Sequence, residues 1–443
     1  MKSRPQYIFL LLIFSLILPG HVFSLPNPSA VYAEKMGCEY IIERDAKGNE
    51  HGVCILPDGS KVSAWDFFKG KAGKKFSYCA KKGYSIETET TKKGDYTTEC
   101  AICVKTDPES KKNIRIPMEA LMLQNGEPLV SKKSKKTSYT PSIPPQLGEL
   151  SIKSLPSSFD WRNFNGNNYV NPIRNQGSCG SCYAFAAVAC AEGVYNAATN
   201  SYGDYRKSFS ESFIMWCLGR LQEYNGHFYG CDGADWDYME LGALVSFGGC
   251  LRSSFPYTIV DPNSCTHWND PRYQFSSWGR VACNDIEGIK AAIMTYGTVD
   301  AAVYVINNFN NYTNGIYSDD NTGCDEMNCA YTYTNHGIAL VGWSHDQSGD
   351  YWILRNSWDT DWGESGYMRL RTTSARVACE VSYLIANPTT VRNAATISEG
   401  NLDLKSGCGI KFISGQQIDI NSSFTIQRDA SLDVSIQEDG GLP

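Results

Sequence analysis

The stretch Asn175-Gln176-Gly177-Ser178-Cys179-Gly180-Ser181-Cys182-Tyr183-Ala184-Phe185 decides how the rest of the chain is read. A glutamine precedes a turn of small residues, two cysteines stand three apart, and an alanine/aromatic run opens an apolar helix candidate reaching Ala198. A cysteine in the first turn of a helix meets the positive end of the helix dipole, which favours thiolate over thiol. The small residues before Cys182 keep its sulfur open to a substrate. Taken alone, Cys179 to Cys182 also reads as a redox or metal-binding pair, so the decision falls to partners further along.

A thiol nucleophile needs a base to deprotonate it and a third group to orient that base. His336 stands in Thr334-Asn335-His336-Gly337-Ile338-Ala339-Leu340-Val341-Gly342-Trp343, where the apolar run after it reads as a buried strand that holds the imidazole. Asn356 stands in Tyr351-Trp352-Ile353-Leu354-Arg355-Asn356-Ser357-Trp358, followed by Trp362-Gly363 and Gly366-Tyr367. His336 lies 154 residues after Cys182 and Asn356 another 20 on. In these roles Cys182 attacks a scissile carbonyl, His336 gives its proton to the leaving amine and then activates water, and Asn356 fixes the imidazole tautomer.

The three blocks, in this order and with these flanks, resemble those of the papain-like cysteine peptidases. The resemblance implies an α+β fold of two subdomains, one helical and one β-barrel-like, and catalysis without metal or cofactor. It implies a Gln176 amide that helps hold the oxyanion beside the Cys182 backbone N–H, and a Trp358 ring that shields the His336–Asn356 pair. Gly233, Ala234, Asp235, Trp236 and Asn335 fall at substrate-binding positions. The implied disulfides are Cys179 with Cys231, Cys217 with Cys265, and Cys379 with Cys329 (or Cys324); Cys190, Cys250 and Cys283 receive no partner. Tyr183, Phe159-Asp160-Trp161-Arg162-Asn163 and Arg174-Asn175-Gln176 make this part most similar to cathepsin C relatives. The front of the chain does not resemble the exclusion domain of that group, so an endopeptidase is the first expectation and an aminodipeptidase the second. No His-His pair suggests carboxydipeptidase action. A rival of another class is an inactive adhesin or binding protein that keeps the fold, and the intact Cys182, His336, Asn356 and Gln176 speak against it.

A chain of 443 residues holds two or three domains. Its 42% hydrophobic and 20% charged residues are those of a globular protein, and no basic run matches a nucleic-acid surface. Seventeen cysteines point to an oxidising compartment. Lys2 and Arg4, the apolar run Tyr7 to Leu18 and the Val22-x-Ser24 exit read as a signal peptide over 1–24, too short for a comfortable membrane span. The expected destination is extracellular or a lysosome-like vacuole, with protein or peptide substrates as partners.

Residues 25–130 read as a duplicated Cys-bearing pro-region. Tyr32-Ala-Glu-Lys-Met-Gly37 recurs as Tyr78-Cys-Ala-Lys-Lys-Gly83, and Gly52-Val-Cys-Ile-Leu-Pro-Asp-Gly59 is echoed by Ala101-Ile-Cys-Val-Lys-Thr-Asp107. Each copy suggests a short helix, then strands around a turn such as Pro57-Asp58-Gly59. The first copy, with Asn27-Pro28-Ser29-Ala30 and Ala64-Trp65-Asp66-Phe67-Phe68, resembles over 26–72 a small domain of unknown function sometimes labelled a haemolysin. A basic, proline-rich linker follows at 131–154, a natural place for proteolytic nicking. The peptidase segment runs over 155–390 and a β-rich extension over 391–443. Residues 25–154 carry 21 basic and 16 acidic side chains, whereas 155–443 carry 17 and 31. This asymmetry suggests that the front docks on the back partly through charge and inhibits it, in a salt-sensitive way. Asn311-Tyr-Thr313 and Asn421-Ser-Ser423 fit glycosylation sequons.

Overall fold

The computed structural model describes residues 25–108, 111–129 and 155–391, apart from 222, 225–226, 236–237 and 325–333, together with tail strands 403–404, 409–414, 425–426 and 431–436. Two units with one element order, helix, three strands, helix, open the chain. The first contains α1 (Pro28–Lys35), β1 (Glu39–Arg44), β2 (Glu50–Ile55), β3 (Lys61–Ser63) and α2 (Ala64–Phe68). The second contains α3 (Tyr78–Lys81), β4 (Ser85–Lys93), β5 (Tyr96–Thr106), β6 (Asn113–Pro117) and α4 (Met118–Gln124). The repeated tyrosines meet where the units join: the Tyr78 N–H donates to Tyr32 Oη at 3.0 Å. At the β2–β3 turn Gly59 adopts φ +82° and Asp58 accepts from the Ser60 N–H, the left-handed geometry for which glycine is suited.

The remainder is an α+β fold with two subdomains. It comprises β7 (Phe159–Asp160), α5 (Cys182–Ala198), α6 (Met239–Phe247), β8 (Gly249–Cys250), β9 (Arg272–Arg280), α7 (Ile286–Tyr296), β10 (Val299–Val303) and α8 (Asn307–Asn310). β11 (Tyr312–Tyr317), β12 (His336–Asp346), β13 (Gly349–Arg355), β14 (Tyr367–Arg371) and β15 (Val381–Val391) complete it. α5 is apolar nearly all round, which is why it is buried almost along its whole length. One core joins α5 to Phe213, Trp216, Leu241 and Leu244 of the helical side. A second gathers Val303, Ile338, Leu340, Trp352, Trp358 and Leu370 of the strand side. That second core is continuous with Tyr32, Trp65, Phe67 and Phe68 of the front unit.

The front is joined to the back through backbone as well as side chains. The principal sheet runs β4-β5-β11-β14-β13-β12-β10-β15-β9-β8, so the second unit extends the sheet of the remainder through an antiparallel β5–β11 pairing. In the first unit the Glu50 N–H donates to Ile173 O at 2.9 Å, and Trp65 Nε1 donates to Trp358 O at 2.9 Å. The direct ion pairs across this boundary run partly against the bulk asymmetry. Front acids Glu50 and Asp95 meet back bases Arg252 and Arg371, and among the described residues only His51 beside Asp361 has the sense the totals suggest. Net charge sets a long-range field, whereas the contact itself is decided by which few ions can be desolvated together.

The Cys179–Cys231 and Cys217–Cys265 bridges are present, and Cys79–Cys103 crosslinks the second front unit. Cys379 bonds Cys324 rather than Cys329, which lies outside the described residues. The cause is local. Asp319 accepts from the Ala375 N–H at 2.9 Å and Asn321 O from the Arg376 N–H at 2.8 Å, which lays the segment leading to Cys324 beside Cys379. Cys283 is also disulfide-bonded, while Cys190 and Cys250 are buried free thiols. The Asn311 sequon is closed to modification in this state: the side chain is buried and its amide donates to Glu119 Oε2 at 2.9 Å. Asn421 lies outside the described residues. In the tail, 409–414 and 431–436 pair in parallel. No helix among the described residues is long and apolar enough to cross a membrane.

Gly52 tests the docking of the first unit. A Cβ there would stand 2.3 Å from Tyr40 Oη and 2.9 Å from Asp359 Oδ2, and neither neighbour is free to move. Gly52→Ala should destabilise the intact chain by roughly 1–3 kcal/mol, as overpacking does. It should also expose the front segment to added protease, read by thermal melting and limited proteolysis.

Candidate active site

Cys182 is the first residue of α5, held there by a loop whose ends are pinned. Cys179 is bridged to Cys231, and the Gly180 N–H donates to Cys231 O at 2.9 Å. Ser181 places no side-chain cap on the helix, because its hydroxyl lies 2.8 Å from Tyr257 Oη instead. The positive end of the helix is therefore directed at the sulfur. His336 opens β12, and the neighbouring Gly337 N–H donates to Cys182 Sγ at 3.2 Å. Gly337 permits that approach, since a Cβ would meet Cys182 O at 3.2 Å and the Ala186 Cβ at 3.3 Å.

Nε2 of His336 lies 2.8 Å from Asn356 Oδ1. The Ser357 N–H donates to the same oxygen at 2.8 Å, which identifies it as an acceptor and puts the imidazole proton on Nε2. Nδ1 is then the basic nitrogen, buried and without a hydrogen-bond partner among the described residues. The Trp358 ring covers the pair at 4.5 Å between ring centroids. Burial pushes the His336 imidazole down to about 4, partly opposed by the hydrogen bond to Asn356.

Gln176 completes the group. Its Oε1 accepts from Ser357 Oγ at 2.7 Å, and its Nε2 donates to Cys179 O at 2.8 Å and to Leu25 O at 2.9 Å. Leu25 belongs to the front segment, so the cleft is filled by the chain itself. Cys182, His336 and Gln176 each have 0% exposure, a closed site that a substrate cannot enter. An open depression of about 660 Å³, lined by Arg162, Trp343, Tyr367 and Arg369 among others, lies on the strand side, and Cys182 does not line it.

The other sequence-chosen positions divide. Asn335 is brought in: its carbonyl accepts from the Leu25 N–H at 3.1 Å while its side chain grips Val305 through both amide atoms. Gly233 follows the short helix Gly230–Asp232 with φ +103°, and Ala234 is buried beside it. The Asp235 carboxylate is engaged by His227 at 2.8 Å and Tyr229 at 3.0 Å. Trp236 lies outside the described residues.

Sequence reasoning missed the residues that close the site. Asn27 Nδ2 donates to Asn175 Oδ1 at 3.1 Å, and Asn175 Nδ2 donates to Tyr40 Oη at 2.6 Å. Asp359 Oδ2 accepts from the Gly52 N–H at 3.1 Å and from Asn175 Nδ2 at 3.2 Å. Burial, with Asp361 adding to it, holds the Asp359 carboxyl well above the usual range. Glu50 accepts from the Asn175 N–H at 2.8 Å and pairs with Arg44 and Arg252, each at 2.9 Å. One signal was legible: Asn27 followed by Pro28 is a helix cap with proline at the first helical position.

A family model for the papain family cysteine proteases matches residues 155–389, more than half of the chain, and a second, for a domain of unknown function (DUF333), matches residues 24–71. Fruit bromelain of Ananas comosus is 30% identical over 246 residues, 54% of this chain and 62% of the relative, so the chain spans about three-fifths of that relative's length. Zingipain-1 of Zingiber officinale is 33% identical over 225 residues, covering 50% of this chain and 90% of the relative. Among solved structures, the digestive procathepsin L 3 of Tenebrio molitor larval midgut is 28% identical with a TM-score of 0.45, covering 53% of this chain and 72% of that one. With a cysteine at a helix start, a histidine at a strand start and an asparagine bonded to that histidine, the chain belongs to the papain family of cysteine proteases.

Proposed function

We propose that the protein is a cysteine endopeptidase made as a zymogen, secreted or sent to a lysosome-like vacuole by a cleaved leader over 1–24. In this reading Cys182 is the nucleophile, His336 the proton carrier, Asn356 its orienting partner, and Gln176 with the Cys182 N–H the oxyanion donors. The observation that carries it is the 2.8 Å contact from His336 Nε2 to Asn356 Oδ1. It leaves Nδ1 as the base for the thiol, and the next residue, Gly337, already holds Cys182 Sγ through its N–H. The residues of the front segment act as the inhibitor, and cutting within 131–154 releases it.

The test is turnover of two fluorogenic peptides, one N-blocked and one with a free α-amine, after the linker is cut and under reductant. The N-blocked peptide should be cleaved and Cys182→Ala should abolish the signal. Gln176→Ala should lower kcat by roughly 10²–10³, the usual cost of one oxyanion donor. Turnover of the free-amine peptide alone would mark an aminodipeptidase. Failure of the thiol to take a stoichiometric epoxide label would mark a binding protein without activity.

In the closed state burial favours the neutral imidazole of His336 over the imidazolium. An open cleft restores water to His336 and moves its pKa back towards the ordinary 6.5. From pH 6.5 down to about 4 the open state therefore binds more protons at His336, and acid favours opening. That contribution to closure is complete above 6.5 and is lost as pH falls towards about 4, amounting to roughly 3 kcal/mol at most. Asp359 works in the opposite sense, because its raised pKa means that acid holds the first unit in place. Imidazole NMR separates the two: His336 should titrate near 4 in the intact chain and distinctly higher once the front segment is removed.

A further inference from the structure

Residues 25–27 do more than cover the cleft. We propose that they lie in it in the direction of a substrate, with Leu25 presenting the carbonyl of the bond to be cut and Pro26 keeping that bond intact. The proposal rests on the peptidase reading above.

Direction follows from the two sides of one residue. The Leu25 carbonyl accepts from Gln176 Nε2 at 2.9 Å, and that amide is the proposed oxyanion donor. The Leu25 N–H donates to Asn335 O at 3.1 Å, on the wall carrying His336. A chain threaded the other way would exchange donor for acceptor at both places. The carbonyl seated at the oxyanion donor is the carbonyl that is attacked, so the bond presented is Leu25–Pro26. Beyond it the Asn27 N–H donates to Gly177 O at 3.0 Å and its side chain to Asn175. Asn27 also caps α1, its Oδ1 accepting from the Ser29 N–H at 3.0 Å. The leaving side is thus anchored to a folded unit on one side and to the nucleophile loop on the other.

Pro26 accounts for the survival of the bond. Cleavage requires Cys182 Sγ to pass its proton to His336 Nδ1 while adding to the Leu25 carbonyl carbon, the C–N bond to break, and the nitrogen of residue 26 to take that proton from Nδ1. Water then splits the thioester, returning its proton through His336 to the sulfur and leaving a Leu25 carboxyl group. The prolyl nitrogen is locked in a ring, with Cδ where another residue has its N–H and with φ fixed near −65°. Its lone pair cannot turn freely towards the imidazole, and the proton transfer fails. General acid help of this kind is worth roughly 10²–10⁴ in rate.

The experiment is Pro26→Ala in the full chain, with Pro26→Gly as a second variant should the first fold poorly. Samples are held under reductant, quenched in acid and read by intact mass and N-terminal sequencing. The expected result is a new N-terminus at position 26, formed roughly 10²-fold faster or more than in the parent chain, and absent when Cys182→Ala is added. An uncut variant whose linker-cleaved form still turns over the N-blocked peptide would overturn the forward placement and leave the peptidase reading intact. An uncut variant that is also silent on that peptide would bring down both.

Discussion

The side chain of Gln176 is the contact on which the active region depends. One amide is bonded to three segments far apart in sequence: the nucleophile loop through Cys179 O, the asparagine block through Ser357 Oγ, and the front segment through Leu25 O. A buried amide of this kind is costly unless every valence is met. Here each bond that satisfies it also fixes part of the geometry around Cys182 and Asn356, and the last is supplied by the front segment that fills the cleft. Closure completes the hydrogen bonding of the Gln176 amide.

Around that contact the front segment is fastened by terms of different physical kind. Trp65 and the aromatic residues of α1 and α2 share a core with Trp358, so part of the docking is apolar burial, insensitive to salt. Glu50 sits between Arg44 and Arg252, within reach of the buried cluster where Arg174 meets Glu192 and Glu211. Glu50, Arg252, Arg174, Glu192 and Glu211 are all enclosed, so removal of one charge leaves its partner buried and unpaired. High salt screens exposed pairs such as Arg371–Asp95 but reaches these poorly. The charge asymmetry of the sequence describes the encounter of the two parts better than their grip.

The proposed catalytic groups were legible because chemistry restricts them locally. A thiol at a helix start, a histidine before an apolar strand and an asparagine before Ser357-Trp358 are each visible within ten residues. The Cys179 and Cys217 bridges came with the resemblance. The choice between Cys324 and Cys329 needed the loop contacts of Asp319 and Asn321, which no spacing reveals. The repeat in the front segment could be read from its echoes, but its seat could not. Glu50, Gly52, Asp359 and Asn175 meet across more than a hundred residues of chain, and nothing in their neighbours marks them. Totals of charge misled for the same reason: the contact is set by a handful of buried ions.

The pairing of β5 with β11 also governs what the cut chain exposes. In the closed chain the peptidase sheet does not end at its own last strand, because the second front unit continues it. Were that unit to leave, as the zymogen proposal requires, β11 would become a rim, and the N–H and C=O groups that pair with Thr97, Thr98 and Tyr96 would face water. Such a rim is a template for any extended chain that meets it, whether another copy of the enzyme or a loose polypeptide. In the proposed zymogen, loss of the front segment would thus bare two surfaces at once, the cleft around Cys182 and the edge of β11, and would tie the colloidal fate of the cut chain to the same event.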